Sequence, residues 1–361
     1  MINCLLFYGL DSPEHDVSVV TATEIMKNAP SRGIRLIPVY GKHGRWFTGE
    51  ELAEITSYAP FDEKRFAEVV VSGETLYKLK RGKAKAWIKA DCALIACHGG
   101  AGENGALQGF LDVNGIPYCS SGVFASAMGM NKAAAKTLLS AKNVPVTKWK
   151  LIKASEKESA LAGLKENDFP LIFKANNGGS SLGIAIAETA AEATAALESA
   201  FKFGDEVICE SYLTGACDLN VAVLTTNGKM TLSEPEIPFK SGKILSFADK
   251  YTLKENADDL PESAVSDSDK AEAVRLAAIV AEALGTEGAV RIDFLACKEG
   301  VFFNEINTVP GSLAAYLFKE YSFTDYLRLL IESAAEKKEA ATKRYADTGL
   351  LKLKPKGVRR R

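Results

Sequence analysis

The apolar and polar positions change period along the chain, and each change marks an element. Near the start, "INCLLFY", "IRLIPVY" and "DCALIAC" are short apolar runs that read as strands, while "DVSVVTATEIMKNA" and "ENGALQGFLDVNG" space their apolar residues as helices do. This alternation predicts an α/β unit with a largely parallel sheet. From about Ser121 the character changes. "ASAMGMNKAAAKTLLSAKN" predicts one long helix, and "FPLIFKANNGGSSLGIAIAE" a strand, a glycine loop and a second strand, followed by the helix "TAAEATAALESAFKFG". "EVICESYL" and "DLNVAVLTTNGKMTLSEPEIP" alternate like antiparallel strands. After them come a helix, "SDKAEAVRLAAIVAEALG", a hairpin, "RIDFLACKEGVFFNEIN", and a last helix around "AAYLFKEYSFTDYLRLLIESAA". Residues 239–263 are polar and aperiodic, a length of loop that is uncommon inside a compact domain and often a lid. The expected division is 1–120, 121–212 and 213–361, with no internal repeat or low-complexity linker.

The hairpin carries the first chemistry. A three-residue "KEG" loop centred on Glu299 sets Asp293 opposite Glu305 and Arg291 opposite Asn307, with all four side chains on one face. Like charges directly across a ladder repel, so the two acids call for something positive between them. Oxygen-only ligands suit a hard cation, and Mg²⁺ in particular shares its remaining positions with water and substrate phosphates. The plainer reading is a solvated outer face.

Two glycine-rich loops add to this. "KANNGGSSLG", Lys174 to Gly183, lets backbone N–H groups approach an anion and adds serine donors; it is not a P-loop, because no Gly-Lys-Ser/Thr follows. Lys174 ends an apolar strand, where an ammonium needs a partner that a nucleotide phosphate would supply. "CHGGAGENGALQG" follows a strand and opens a helix, whose N-terminus favours a carboxylate or phosphate. "GLDSPEHDVS" repeats that design after the first strand, so Glu14 and His98 are expected at the carboxyl edge of one sheet, where α/β sheets bind ligands. Plain turns with a packed His98 are the alternative. Within the long loop, "FADKY" offers a Lys-Tyr pair able to close over an anion, or simply a charged exposed loop.

Composition narrows the class. The chain has 361 residues, 47% of them hydrophobic and 25% charged, enough for two or three domains. A net charge of -2 argues against a nucleic-acid partner, and the basic end "KLKPKGVRRR" reads as solvated. No apolar run reaches membrane-spanning length, and "MINCLLFYGLDSPEHD" lacks the basic start of a signal peptide, so a cytoplasmic protein without membrane contact is expected. The seven cysteines are scattered with no CxxC pair, and there are three histidines, which supports neither a zinc site nor a disulfide framework.

Together "SPEHDVS", "HGGAGENGALQG", "IPYCSSGVFASAMGMNK", "FKANNGGSSLG", "FADKY", "RIDF" and "NEINTVPG", in that order over nearly the whole chain, resemble the ATP-grasp carboxylate–amine ligases, and within them the D-alanine–D-alanine ligases. The resemblance implies a three-domain ATP-grasp fold, with an N-terminal parallel α/β domain followed by two α+β domains that enclose ATP. It implies that Lys132, Lys174 and Ser181 contact ATP phosphates, that Glu210 and Leu213 flank the adenine, and that Asp218 takes the ribose. Asp293, Glu305 and Asn307 match its magnesium ligands, with Mn²⁺ as a substitute. Glu14, Ser180 and Tyr251 match a hydrogen-bonded group that orients the first D-alanine, and Lys250 a phosphate contact from the lid. His98 matches a residue near the first substrate's carboxylate, and Arg291 with the backbone of Gly311 the oxyanion-stabilising position. The family's habit implies a homodimer.

The departures concentrate on the acceptor. Asn131, Asn104, Ala175 and Asp218 stand where the family usually has Asp, Asp, Pro and Glu, and Leu245 and Phe247 where its lid has tyrosines. After "NTVPG", Leu313 and Tyr316 replace the threonine and the serine that serve the second D-alanine's carboxylate. "AAYLF" reads as the start of an apolar helix, so Tyr316 is expected to point into the core while a neighbouring N–H serves the acceptor. The function expected is joining of two D-alanines. The alternatives are a ligase with D-serine, D-lactate or another amino acid as acceptor, and an inactive nucleotide-binding protein.

Overall fold

The computed structural model describes residues 1–179, 183–238 and 265–341. Three sheets follow one another along the chain. The first has β1 (Ile2–Gly9), β2 (Ile34–Lys42), β3 (Arg45–Thr48), β4 (Ala67–Ser72), β5 (Thr75–Lys80), β6 (Lys83–Lys89) and β7 (Cys92–Ile95), in the order β6-β5-β4-β3-β2-β1-β7. β2, β1 and β7 are parallel, as the alternating pattern predicts. The other four strands are antiparallel. The expectation of a largely parallel sheet is corrected to a parallel core with an antiparallel extension. β6, "KAKAWIK", hides its period because an edge strand needs only one buried face and guards its free edge with lysines.

α1 (His15–Lys27) packs along β1, and α2 (Gly100–Glu103) and α3 (Ala106–Asn114) follow β7. The long helix expected after Ser121 is two helices, α4 (Val123–Met130) and α5 (Lys132–Ser140). Asn131 breaks it: its extended backbone leaves the first, and its side-chain oxygen accepts from the Ala134 N–H to cap the second.

The second sheet contains β8 (Trp149–Lys153), β9 (Leu171–Ala175), β10 (Ile184–Ala187) and β11 (Glu206–Ser211), ordered β10-β9-β11-β8. α6 (Lys157–Ala162) and α7 (Ala190–Phe201) cover one face, over Phe173, Val207 and Cys209. Alternation puts Ile172, Lys174, Ile208 and Glu210 on the other.

The third sheet has β12 (Cys217–Thr226), β13 (Lys229–Leu232), β14 (Gly288–Cys297) and β15 (Gly300–Asn307), ordered β13-β12-β14-β15. α8 (Asp267–Leu284) packs on its Val221, Ile292 and Phe303 face. The final helix, α9 (Phe323–Ala341), starts later than "AAYLF" suggested. Residues 311–317 form instead a tight turn in which Ser312, Leu313 and Ala314 have φ of 46°, 53° and 53°. α9 returns to β7 of the first sheet. Among the described residues no helix is long and apolar enough to cross a membrane.

The turn from β7 into α2 tolerates no side chain at Gly102, where a Cβ would lie 2.1 Å from the Cβ of Cys97. Because Cys97 is fully buried and cannot swing away, Gly102→Ala is expected to lower stability by about 1–3 kcal/mol, read as a lower urea midpoint; an unchanged midpoint would show that α2 shifts freely.

Candidate active site

The hairpin puts Asp293 opposite Glu305 and Arg291 opposite Asn307. That is the expected register, reached by a different route. The turn holds only Lys298 and Glu299 between the paired Cys297 and Gly300, and a β-bulge leaves Asn304 without a partner across the ladder. The extra residue keeps both Phe303 and Ile306 in the core and so turns Glu305 and Asn307 to the opposite face. It also aims Asn304 at the second sheet, where its side-chain oxygen accepts from Lys174 Nζ at 2.9 Å.

The cations in this cleft come from the chain itself. Arg291 makes a two-pronged ion pair with Asp293, at 2.7 and 2.8 Å, and Asn307 donates to the same carboxylate at 3.1 Å. Lys132 lies 3.9 Å from Glu305 and donates to the carbonyl of Gly178 in the glycine loop. Asn176 positions that loop: its side-chain oxygen accepts from the Ala133 N–H and its carbonyl from the Lys132 N–H, at 2.9 and 3.0 Å.

Lys174, expected at a strand end where its ammonium needs a partner that a phosphate would supply, has Glu210 at 3.3 Å as well as Asn304. Glu210, which the resemblance sets beside an adenine, has its side chain buried between Lys174 and Lys136, the latter at 3.0 Å, and accepts from the Thr147 hydroxyl at 2.6 Å. Burial opposes its charge, yet the two ammoniums and the hydroxyl prevail and hold it at about 2. Burial also lowers Lys136. Leu213 and Asp218 border the crossing from β11 to β12, both half-buried.

At the carboxyl edge of the parallel strands, Glu14 and His98 are brought together. Ser12 donates to the His98 carbonyl at 2.7 Å, and Ser18 ties α1 to the ends of both strands, accepting from the Gly9 N–H and donating to the Ala96 carbonyl. A Cβ on Gly99 would lie 2.5 Å from the Glu14 carboxylate, and one on Gly179 2.8 Å, so two glycines from different units close around this acid. The His98 ring meets the Thr21 hydroxyl at 2.9 Å, and burial lowers it to about 4 despite a hydrogen bond with the Val309 backbone, leaving it neutral and fixed.

Sequence reasoning passed over Glu103 and Glu236. Glu103 accepts from the N–H groups of Gly99 and Val309, at 3.0 and 3.1 Å, and so joins the His98 loop to the strand leaving the hairpin. Leu313 is packed in the core, whereas Tyr316 is not. Half-exposed, it donates to Glu236 at 3.2 Å, which corrects the inward orientation expected of it; the left-handed run at 312–314 swings it outward. Beyond a Cβ on Gly311 there is open space. Ser180, Ser181, Lys250, Tyr251 and the loop expected to be a lid lie outside the described residues.

Residues 3–121 match the family model described as the D-ala D-ala ligase N-terminus, and residues 138–325 the D-ala D-ala ligase C-terminus. The chain belongs to the D-alanine–D-alanine ligase family. A D-alanine–D-alanine ligase of Thermosipho melanesiensis is 29% identical, with 98% of this chain and 99% of that one covered. One of Chlorobaculum tepidum is 34% identical over 85% of this chain and 87% of its own. Among solved structures, the ligase from Helicobacter pylori matches with TM-score 0.76 at 27% identity, covering 92% of this chain and 98% of that one. The VanG D-Ala:D-Ser ligase from Enterococcus faecalis matches with TM-score 0.77 at 27% identity, covering 92% and 99%. The family's three-domain ATP-grasp architecture thus underlies the sheets and the cleft between them.

Burial and the nearby Glu14 carboxylate push Glu103 up to about 7, against the pull of its backbone N–H partners. A carboxyl raised in the folded state adds stability that is full below its unfolded value of 4.5 and is lost as pH rises through about 7. Glu103→Gln is expected to flatten that loss. Thermal unfolding at about pH 5 and about pH 8 should show wild type falling relative to the variant; parallel curves would mean Glu103 is already ionised when folded.

Proposed function

We infer that the chain is an ATP-dependent ligase that joins two D-alanines. The observation that carries this reading is the face of the hairpin, where Asp293, Glu305 and Asn307 stand side by side, with Lys132 beside Glu305 and Lys174 on Asn304 of the same hairpin, both from the central unit. Two opposed carboxylates and an amide are oxygen donors of the kind Mg²⁺ takes, so these three residues would hold it. When bound, the ion supplies neutralisation of phosphate charge.

The rest falls to the chain's own groups. Lys132 and Lys174 hold the phosphates, and the face of the second sheet that carries Ile172 and Ile208 receives the base, near Leu213, with Asp218 at the ribose. Lys174 trades its contact with Asn304 for a phosphate oxygen while Glu210 keeps it oriented. Glu14, enclosed by Gly99 and Gly179, orients the first D-alanine, and the neutral His98 supports the wall behind it. The terminal phosphoryl group passes to that substrate's carboxylate and ADP leaves. The amine of the second D-alanine then attacks the acyl carbon, phosphate departs, and a proton is lost from nitrogen. Arg291 and the Gly311 backbone face the oxygen that gains charge. Ser180, Ser181, Lys250 and Tyr251 keep the roles that the resemblance assigns them. The product suits cell-wall peptide synthesis in the cytoplasm, and a homodimer is the expected assembly.

One observation favours keeping a second acceptor in view. Tyr316 stands where a carboxylate-binding serine is usual and donates a hydrogen bond to Glu236, so D-serine and D-lactate belong in any assay.

ADP release with ATP and magnesium, with and without D-alanine, tests the reading; release that ignores D-alanine would overturn it. Glu305→Gln is expected to cut the D-alanine-dependent rate roughly a hundredfold, the order seen when one preorganised electrostatic group is removed, and to raise the magnesium requirement. An unchanged rate and magnesium dependence would leave the hairpin face a solvated surface.

A further inference from the structure

β5 and β6 form a hairpin whose charge is unlike that of the rest of the chain. Residues 76–89 hold six lysines and arginines and no acid, in a chain of net charge -2. The ladder sets Lys78 opposite Lys85 and Lys80 opposite Lys83, and like charges directly across a ladder repel. Of the six, only Lys89, at the base, has an ion pair among the described residues, with Glu74 at 3.0 Å. Edge protection accounts for lysines on β6, which has a free side to guard. It does not account for Lys78 and Lys80, because β5 lies inside the sheet between β4 and β6.

The tip projects. Arg81 and Gly82 both have positive φ, 51° and 73°, as in the two-residue turn whose twist suits a hairpin, and beyond a Cβ on Gly82 there is open space. The second face of the ribbon is apolar. Alternation puts Tyr77, Leu79, Ala84 and Ala86 there, with Val70 of β4 opposite Tyr77. The two alanines are exposed and the other three half-exposed, and none of the five belongs to the core beneath the sheet.

A ribbon with lysines on one face and tyrosine, leucine and alanine on the other fits the boundary between water and lipid. Anionic headgroups take the ammoniums there, and the layer just below them takes small apolar side chains. A nucleic acid would draw on the cations alone, because Leu79, Ala84 and Ala86 offer nothing to a base or a phosphate. Trp87 packs against the core, with Lys78 3.8 Å from its ring centre. The hairpin base is tied to the amino end of β1, where the Asp91 N–H donates to the Asn3 carbonyl at 2.9 Å and the Asn3 N–H to the Asp91 carboxylate at 2.8 Å. Glu14 and His98 lie at the carboxyl edge of the same strands, so a surface that meets the hairpin leaves the cleft open.

We propose that the β5–β6 hairpin docks the protein on an anionic lipid surface, through Lys78, Lys80, Arg81, Lys83 and Lys85 with Leu79 at the boundary. The contact is peripheral, since no described helix is long and apolar enough to cross a bilayer, and it goes beyond the sequence expectation of no membrane contact. It stands independently of the ligase reading and of the acceptor.

Co-sedimentation of the full chain with vesicles tests this, using phosphatidylglycerol and phosphatidylcholine in equal parts against phosphatidylcholine alone. Wild type should sediment with the first and not the second, and its bound fraction should fall as salt is added. The double variant Lys80→Gln, Lys83→Gln should bind the anionic vesicles roughly thirtyfold more weakly, two charges being lost from a surface-bound segment. Leu79→Ser should bind more weakly than wild type with the same salt dependence. Wild type that ignores anionic vesicles overturns the proposal, and so does a double variant that binds them as wild type does. Tighter binding to a single-stranded oligonucleotide than to vesicles of matched anionic charge overturns it in favour of a nucleic acid.

Discussion

Glu210 is ionised where water does not reach it, and the spacing of the site follows from what keeps it so. It lies between Lys136 of α5 and Lys174 of β9, and Lys136 also reaches Thr147 and the carbonyl of Phe303 on β15. Three charges of two signs thereby fix the distance between the second sheet, the third sheet and the helix between them. Such clusters add little net stability, but removing one partner strands a buried charge at a cost of about 3–5 kcal/mol. The arrangement therefore resists partial loss. It keeps the Lys174 ammonium close to the hairpin before any phosphate arrives, so less reorganisation is left for the binding step.

How much of this could be read beforehand differs from element to element. The buried strands of the first sheet and the helices α1, α3, α7 and α8 show in the apolar pattern because each buries a continuous face. β5 and β6 do not, since their lysines mask an alternation that only one face needs. The hairpin register was legible for a reason that proves incomplete. A two-residue turn plus one bulged residue places Asp293 opposite Glu305 just as a three-residue turn would, and no local rule distinguishes the two. The difference matters to Asn304, which the bulge alone turns toward Lys174.

Tyr316 escaped for a related reason. Three successive non-glycine residues in the left-handed region are disfavoured by about 1–2 kcal/mol each, so no pattern argument would place them there. The buried turn they form, closed by the hydrogen bond from the Tyr326 hydroxyl to the Leu313 carbonyl, puts Leu313 in the core and leaves Tyr316 at the cleft. Glu236 was passed over because it meets β12 only through an isolated bridge to Asn220, too short to show a period.

α9 carries a consequence of another kind. Its Leu327, Leu330 and Ile331 share one core with Cys4, Leu94 and Leu111, and the Cys92 thiol meets the Ile331 carbonyl across 239 positions of sequence. A growing chain that has made only its first hundred or so residues holds the strands of that sheet but not the helix that covers β7. Apolar surface there stays bare until both other sheets have been synthesised, so this unit is the first to be started and the last to be closed. Any chaperone or aggregation encounter during synthesis would meet the β7 face.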